Sequence, residues 1–166
     1  MTLEQAQAVL QLMTQTIEHE AVGTRKILKA VTNGTYKPDA KSRTALELAT
    51  HLAMSDIWFA DSIVNGKFEW TGEPTPPAEL TDAAAIAAWH EKQMTDRLAK
   101  LRALKPEQLT RELDFFGTKG PAVTWLVTMN NHAVHHRGEL ITYLRPMGSK
   151  VPAVYGMSAD EPMPSA

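Results

Sequence analysis

Four long stretches of this chain carry apolar residues every three to four positions, and Pro- and Gly-rich breaks separate them. An α-helix can gather such residues onto one face and a strand cannot, so the pattern restricts the chain to helix packed on helix. The first stretch is expected from about Thr2 to Val31, with Leu3, Ala6, Leu10, Met13, Ile17, Ala21, Thr24 and Leu28 on its inner side. Thr2 and Gln5 have the spacing of a capping box at its start, and Asn33-Gly34 ends it. The second is expected over about 42–64, with Ala45, Leu48, Leu52, Ser55, Phe59 and Ile63 inward and His51 and Trp58 on the same side. The third runs from about Thr81-Asp82 to Leu104 along Ile86, Trp89, Gln93, Met94, Leu98 and Leu101. The fourth is expected over about 121–144 along Trp125, Met129, His132, His136, Leu140 and Tyr143, with Pro121 in its first turn.

Between the third and fourth stretches, Leu113 to Gly120 reads as a short hairpin or an extended loop. From about residue 146 the chain is expected to be irregular and laid over the surface. The fold class that follows is all-α, a four-helix bundle forming one domain over residues 1–166.

Composition removes several functions. A net charge of −2 offers no basic excess for a nucleic-acid partner. No window approaches the roughly 20 apolar residues of a membrane-spanning helix, and the N-terminal residues do not read as a secretion signal, so the cytoplasm is expected. The chain has no cysteine, which excludes disulfides, thiolate-bound zinc and a cysteine nucleophile. Phosphate loops, dinucleotide fingerprints, His-Glu-x-x-His and Glu-x-x-His are all absent.

What remains is histidine. His132 and His136 stand four residues apart, so about 40° separates them on a helix and both imidazoles share its apolar side. His51 offers a third ring from the second helix. Three imidazoles meeting between two helices would hold a metal ion and leave coordination positions open. His135 is the competitor for the second ring. It lies about 60° from His132 on the opposite flank, farther from the stripe, and an exposed or supporting place is expected for it. His90 is expected on a helix flank and His19 in solvent. Arg137 and Glu139 are expected at the rim in salt bridges. Glu20 and Asp56 are candidate general bases if they face the metal, and solvated carboxylates otherwise.

The run His132-Ala-Val-His-His-Arg-Gly-Glu-Leu140, preceded by Thr50-His51-Leu52-Ala53 and Trp58-Phe59, resembles the DinB/YfiT-like family. Tyr143-Leu144-Arg145 and Val151-Pro152-Ala153-Val154-Tyr155-Gly156 match how such chains close. Glu139 stands where many relatives carry glutamine. The resemblance implies a bundle of up-down-down-up connectivity, often a homodimer, with a divalent metal on His51, His132 and His136. It also implies a small-molecule substrate. Some members activate a low-molecular-weight thiol for transfer or isomerisation, and others are described as metal-dependent hydrolases. Zinc or nickel is the expected metal, with iron or manganese as alternatives. A metal- or ligand-binding stress-response module without turnover is the alternative function.

Overall fold

A computed structural model describes residues 1–72 and 74–162. The four long stretches are helices: α1 (Leu3–Lys29), α2 (Ala45–Asn65), α3 (Ala83–Arg102) and, last in the chain, α5 (Trp125–Leu144). Between the last two lie a one-turn helix α4 (Pro106–Leu109) and a hairpin of β1 (Glu112–Phe115) with β2 (Thr118–Pro121). Among the described residues the four expected helices are thus joined by a fifth, α4, which corrects the four-helix count, and the segment expected as a hairpin or extended loop is a hairpin. Among the described residues no helix is long and apolar enough to cross a membrane.

The helix ends follow local chemistry. The Thr2 hydroxyl accepts from Gln5 N at 3.1 Å while Gln5 Oε1 accepts from Thr2 N at 2.9 Å. Thr44 and Glu47 form the same reciprocal box on α2, and Asp82 Oδ1 accepts from Ala85 N at the start of α3. Gly66 ends α2 in the left-handed region at φ 75°, where a Cβ would also run into the guanidinium of Arg111. The expected start at Pro121 is corrected. Pro121 closes β2, a 3-10 turn covers Ala122–Thr124, and α5 begins at Trp125. Proline has a fixed φ and no N–H, which suits the end of a two-stranded ribbon as well as a first helical turn.

α1 packs against α3 and α5, and α2 packs against the same two helices. Helices consecutive in sequence at the N-terminal end, α1 and α2, thus lie across from each other rather than side by side. Two apolar regions fill the interior. One is built around Leu10, Ile63, Leu98, Leu126 and Met129, the other around Leu28, Leu48, Leu52, Ile86 and Leu140.

Polar residues interrupt these helices where one region gives way to the other: Asp56 on α2, His90 on α3, and Asn130 and His132 on α5. Past α5 the chain has no further helix or strand through residue 162, as expected, and Asp160 ties it back by accepting from Val151 N and Arg145. The last residues of the expected surface tail, 163–166, lie outside the described residues.

Candidate metal centre

α2 and α5 pack directly together, and their facing sides bring His51, His132 and His136 to one place. One ring nitrogen from each lies within 4.8 Å of the others. Ring centroids are 5.5 Å apart for His51 and His132, 4.7 Å for His51 and His136, and 4.4 Å for His132 and His136. Zinc–imidazole bonds of about 2.0–2.1 Å put two ligand nitrogens roughly 3–4 Å apart in a tetrahedron. The observed spread therefore fits one cation after small side-chain adjustments. All three rings are half-buried, so the site is enclosed yet reachable.

The surroundings of His132 and His136 suit cation binding. Burial, followed by the neighbouring His136 and His51 rings, lowers the His132 pKa to about 4, so that imidazole is neutral at pH 7. Its Nδ1 is buried and makes no hydrogen bond among the described residues. Nδ1 of His136 is 2.9 Å from Glu139 Oε2. A carboxylate only accepts, so Nδ1 carries a proton, and Nε2 is the nitrogen left to offer a metal. That carboxylate–imidazole arrangement fixes the ring and raises its basicity toward a metal. Glu139, expected at the rim in a salt bridge, pairs with His136 and so orients one of the expected ligands. The signal was its i, i+3 spacing from His136.

The remaining titratable residues resolve differently from expectation. His135 and His19 are exposed, as expected. His90 is not on a flank but fully buried, and its Nε2 donates to Asp56 Oδ2 at 2.9 Å. Asp56 is thus not solvated: Oδ2 accepts from a core histidine, while Asp56 Oδ1 and His90 Nδ1 are buried with no hydrogen bond among the described residues. The sequence carried this signal, because Ile86, His90 and Met94 recur at i, i+4, i+8 on the buried stripe of α3.

Arg137 is also corrected. It is 1% exposed and is among the largest fully buried side chains. Its guanidinium donates to Glu20 O at 2.9 Å, Glu20 Oε2 at 2.5 Å, Thr24 Oγ1 at 3.3 Å and the Tyr155 hydroxyl. Glu20 is consequently committed to joining α1, α5 and the C-terminal segment. Burial pushes its carboxyl up, but hydrogen bonds from Tyr155 and Arg137 prevail and hold it below the usual range. Gly23 faces this junction, where a Cβ would lie 3.1 Å from the Arg137 guanidinium and collide with Val154.

A cleft of about 1130 Å³ reaches the cluster beside His51. The first half of α2 and the loop joining α2 to α3 supply much of its wall. Aromatic residues continue inward from it. Trp58 stacks edge-on to Phe59 at 5.1 Å, and Phe59 lies 5.3 Å from the His132 ring.

The DinB family model matches residues 4–164. This chain belongs to the DinB family. Two relatives from Bacillus subtilis (strain 168) extend the match. YjoA is 34% identical over 119 residues, covering 68% of this chain and 73% of YjoA. YrdA is 28% identical over 163 residues, covering 90% of this chain and 93% of YrdA. Solved DinB-like structures superpose on the same core. YjoA from B. subtilis gives a TM-score of 0.68 at 28% identity, over 86% of this chain and 96% of that one. A DinB-like protein from Bacillus cereus ATCC 10987 gives 0.71 at 30% identity, over 86% and 95%. YjoA and YrdA are both described as uncharacterized, so DinB membership supplies the fold and not the chemistry.

Proposed function

We propose that this DinB-family chain is a metal-dependent enzyme, built as an up-down-down-up bundle, that activates a small thiol or water at His51, His132 and His136. The observation that carries the reading is the meeting of three imidazoles, 4.8 Å or less between donor atoms, beside a cleft that opens at His51. Three neutral nitrogen ligands leave coordination positions for a substrate atom, which is the difference between a catalytic and a closed structural site. A divalent zinc or nickel ion bound there supplies Lewis acidity that lowers the pKa of a coordinated thiol or water toward neutrality.

The chain's own residues do the rest. His132 is kept neutral by burial, Glu139 holds the His136 ring through Nδ1, and His51 stands where the cleft meets the cluster. The chain has no cysteine, so no protein thiol competes with a thiol substrate. Transfer of a thiol to an electrophile and hydrolysis of an ester or amide both use this arrangement.

The test is metal analysis of untagged protein by plasma mass spectrometry, alongside His51→Ala. The wild type is expected to hold one transition-metal ion per chain and the variant only a small fraction, with unchanged helical circular dichroism. Full metal retention in the variant removes His51 from the site. No bound metal and no stabilisation by added Zn²⁺ or Ni²⁺ in the wild type overturns the reading.

A further inference from the structure

His136 belongs to two groups of metal-ligating side chains. Besides the inner group with His51 and His132, it stands with His135 and Glu139 so that one donor atom from each of the three lies within 4.8 Å of the others. The inner group joins α2 to α5, whereas the outer one is built on α5 alone, over about one turn.

Part of the outer arrangement is local. Residues three and four apart on a helix are neighbours, which brings Glu139 to both His136 and His135. The 2.9 Å bond between His136 Nδ1 and Glu139 Oε2 is one result. Consecutive residues, by contrast, point about 100° apart around a helix and do not face each other. The His135 and His136 rings nevertheless stand edge-on with centroids 4.9 Å apart. The His135 ring is therefore turned back toward its neighbour and the carboxylate, and that convergence is what a cation needs. Two imidazoles and a carboxylate suit zinc, copper or nickel rather than calcium or magnesium. His135 is exposed, and the Glu139 side chain is 41% exposed against 15% for His136. An ion held there keeps water among its ligands and exchanges with solvent.

Resting on the reading that an inner ion is held by His51, His132 and His136, we infer that α5 carries a second, exchangeable divalent-metal site on His135, Glu139 and Nδ1 of His136. The His136 ring then bridges two ions, with Nε2 on the inner one. The outer ion takes the place of the proton on Nδ1, which passes to water. Glu139 gives up its hydrogen bond to that proton and binds the ion instead. The second ion works against both the charge of the first and the proton it displaces, so the outer site fills only when metal is in excess. Metal supply thereby reaches the inner ion through the one ring that both ions share.

Zn²⁺ titrated calorimetrically into untagged, chelator-stripped protein is expected to show two binding events per chain, the second the weaker. His135→Ala is expected to remove the second event and leave the affinity of the first unchanged, with unaltered helical circular dichroism. Cu²⁺ reads the bridge, because paramagnetic ions that share one imidazole ring couple magnetically. The resonance signal of doubly loaded protein is expected to fall below twice that of singly loaded protein. A single event in the wild type that is lost in His51→Ala leaves the inner centre standing and overturns this inference. A second event that survives His135→Ala overturns it too, as does a doubly loaded Cu²⁺ signal equal to the simple sum. A single ion kept in His51→Ala and lost in His135→Ala defeats the inner centre instead, and the bridge with it.

Discussion

Replacing Arg137 by methionine tests how the α1–α5 seam is held. Methionine keeps much of the length and volume of the side chain and removes the five donors. In the native chain the Arg137 side chain is 2% exposed and that of Glu20 is 14% exposed. The substitution strips the ion pair and the bond to Glu20 O, and leaves the carboxylate with the Tyr155 hydroxyl at 2.5 Å as its remaining partner. Breaking one side of a buried pair costs about 3–5 kcal/mol. Glu20 keeps one hydrogen bond and some water, so the lower end, about 3 kcal/mol, applies. For a chain of this size that is a fall in Tm of roughly 6–12 °C. Scanning calorimetry of both proteins at one concentration and pH measures it. Glu20→Gln added to Arg137→Met is expected to recover part of the loss, because the stranded charge is gone. A fall of less than about 2 °C would mean that the pair is compensated elsewhere, and the account of the seam would be wrong.

Two further outcomes concern the imidazoles. Glu139→Ala frees Nδ1 of His136 and is expected to weaken metal binding about 10–100-fold, whereas Glu139→Gln, whose amide oxygen still accepts, is expected to lose less. Competition with a metallochromic chelator reads both, and equal affinity in Glu139→Ala and wild type refutes the orienting role. The second is a pH dependence in metal-stripped protein. The His132 pKa is about 4 in the folded chain against 6.5 as its ordinary value, so between those pH values the unfolded state binds more protons. Stability is therefore full above pH 6.5 and declines as pH falls toward 4. The full shift would be worth about 3 kcal/mol. The ring is only partly buried, so solvent screening reduces this to roughly 1–2 kcal/mol. Urea midpoints across that range are expected to show this slope in the wild type and to lose it in His132→Gln. The same slope in both proteins would exclude His132 as its source.

Much of this protein is written in short-range sequence. Helix existence and ends depend on apolar spacing and caps within a few residues, so α1, α2 and α3 lie within three residues of where spacing places them, and the Thr2–Gln5 box forms as written. His132 and His136 share a face because four residues make one turn, and no tertiary contact is needed for that. What local spacing leaves open is which neighbour a side chain meets. Arg137 carries a charge and reads as rim, yet it falls at i+4 from Ala133 on the side of α5 that meets α1. Its partner Glu20 is 117 residues away. A helix with two buried faces cannot be recognised from one stripe.

Asp56 and His90 likewise pair only once α2 and α3 are side by side, which offsets part of the cost of burying them. The arrival of His51 beside the α5 pair, and the cleft that reaches it, arise from helix packing and from a loop whose path no periodicity specifies. Sequence by itself determined the helices and the rings each could present. Tertiary structure decided which rings met and which charges were buried, because burial and proximity belong to pairs of surfaces rather than to any one segment.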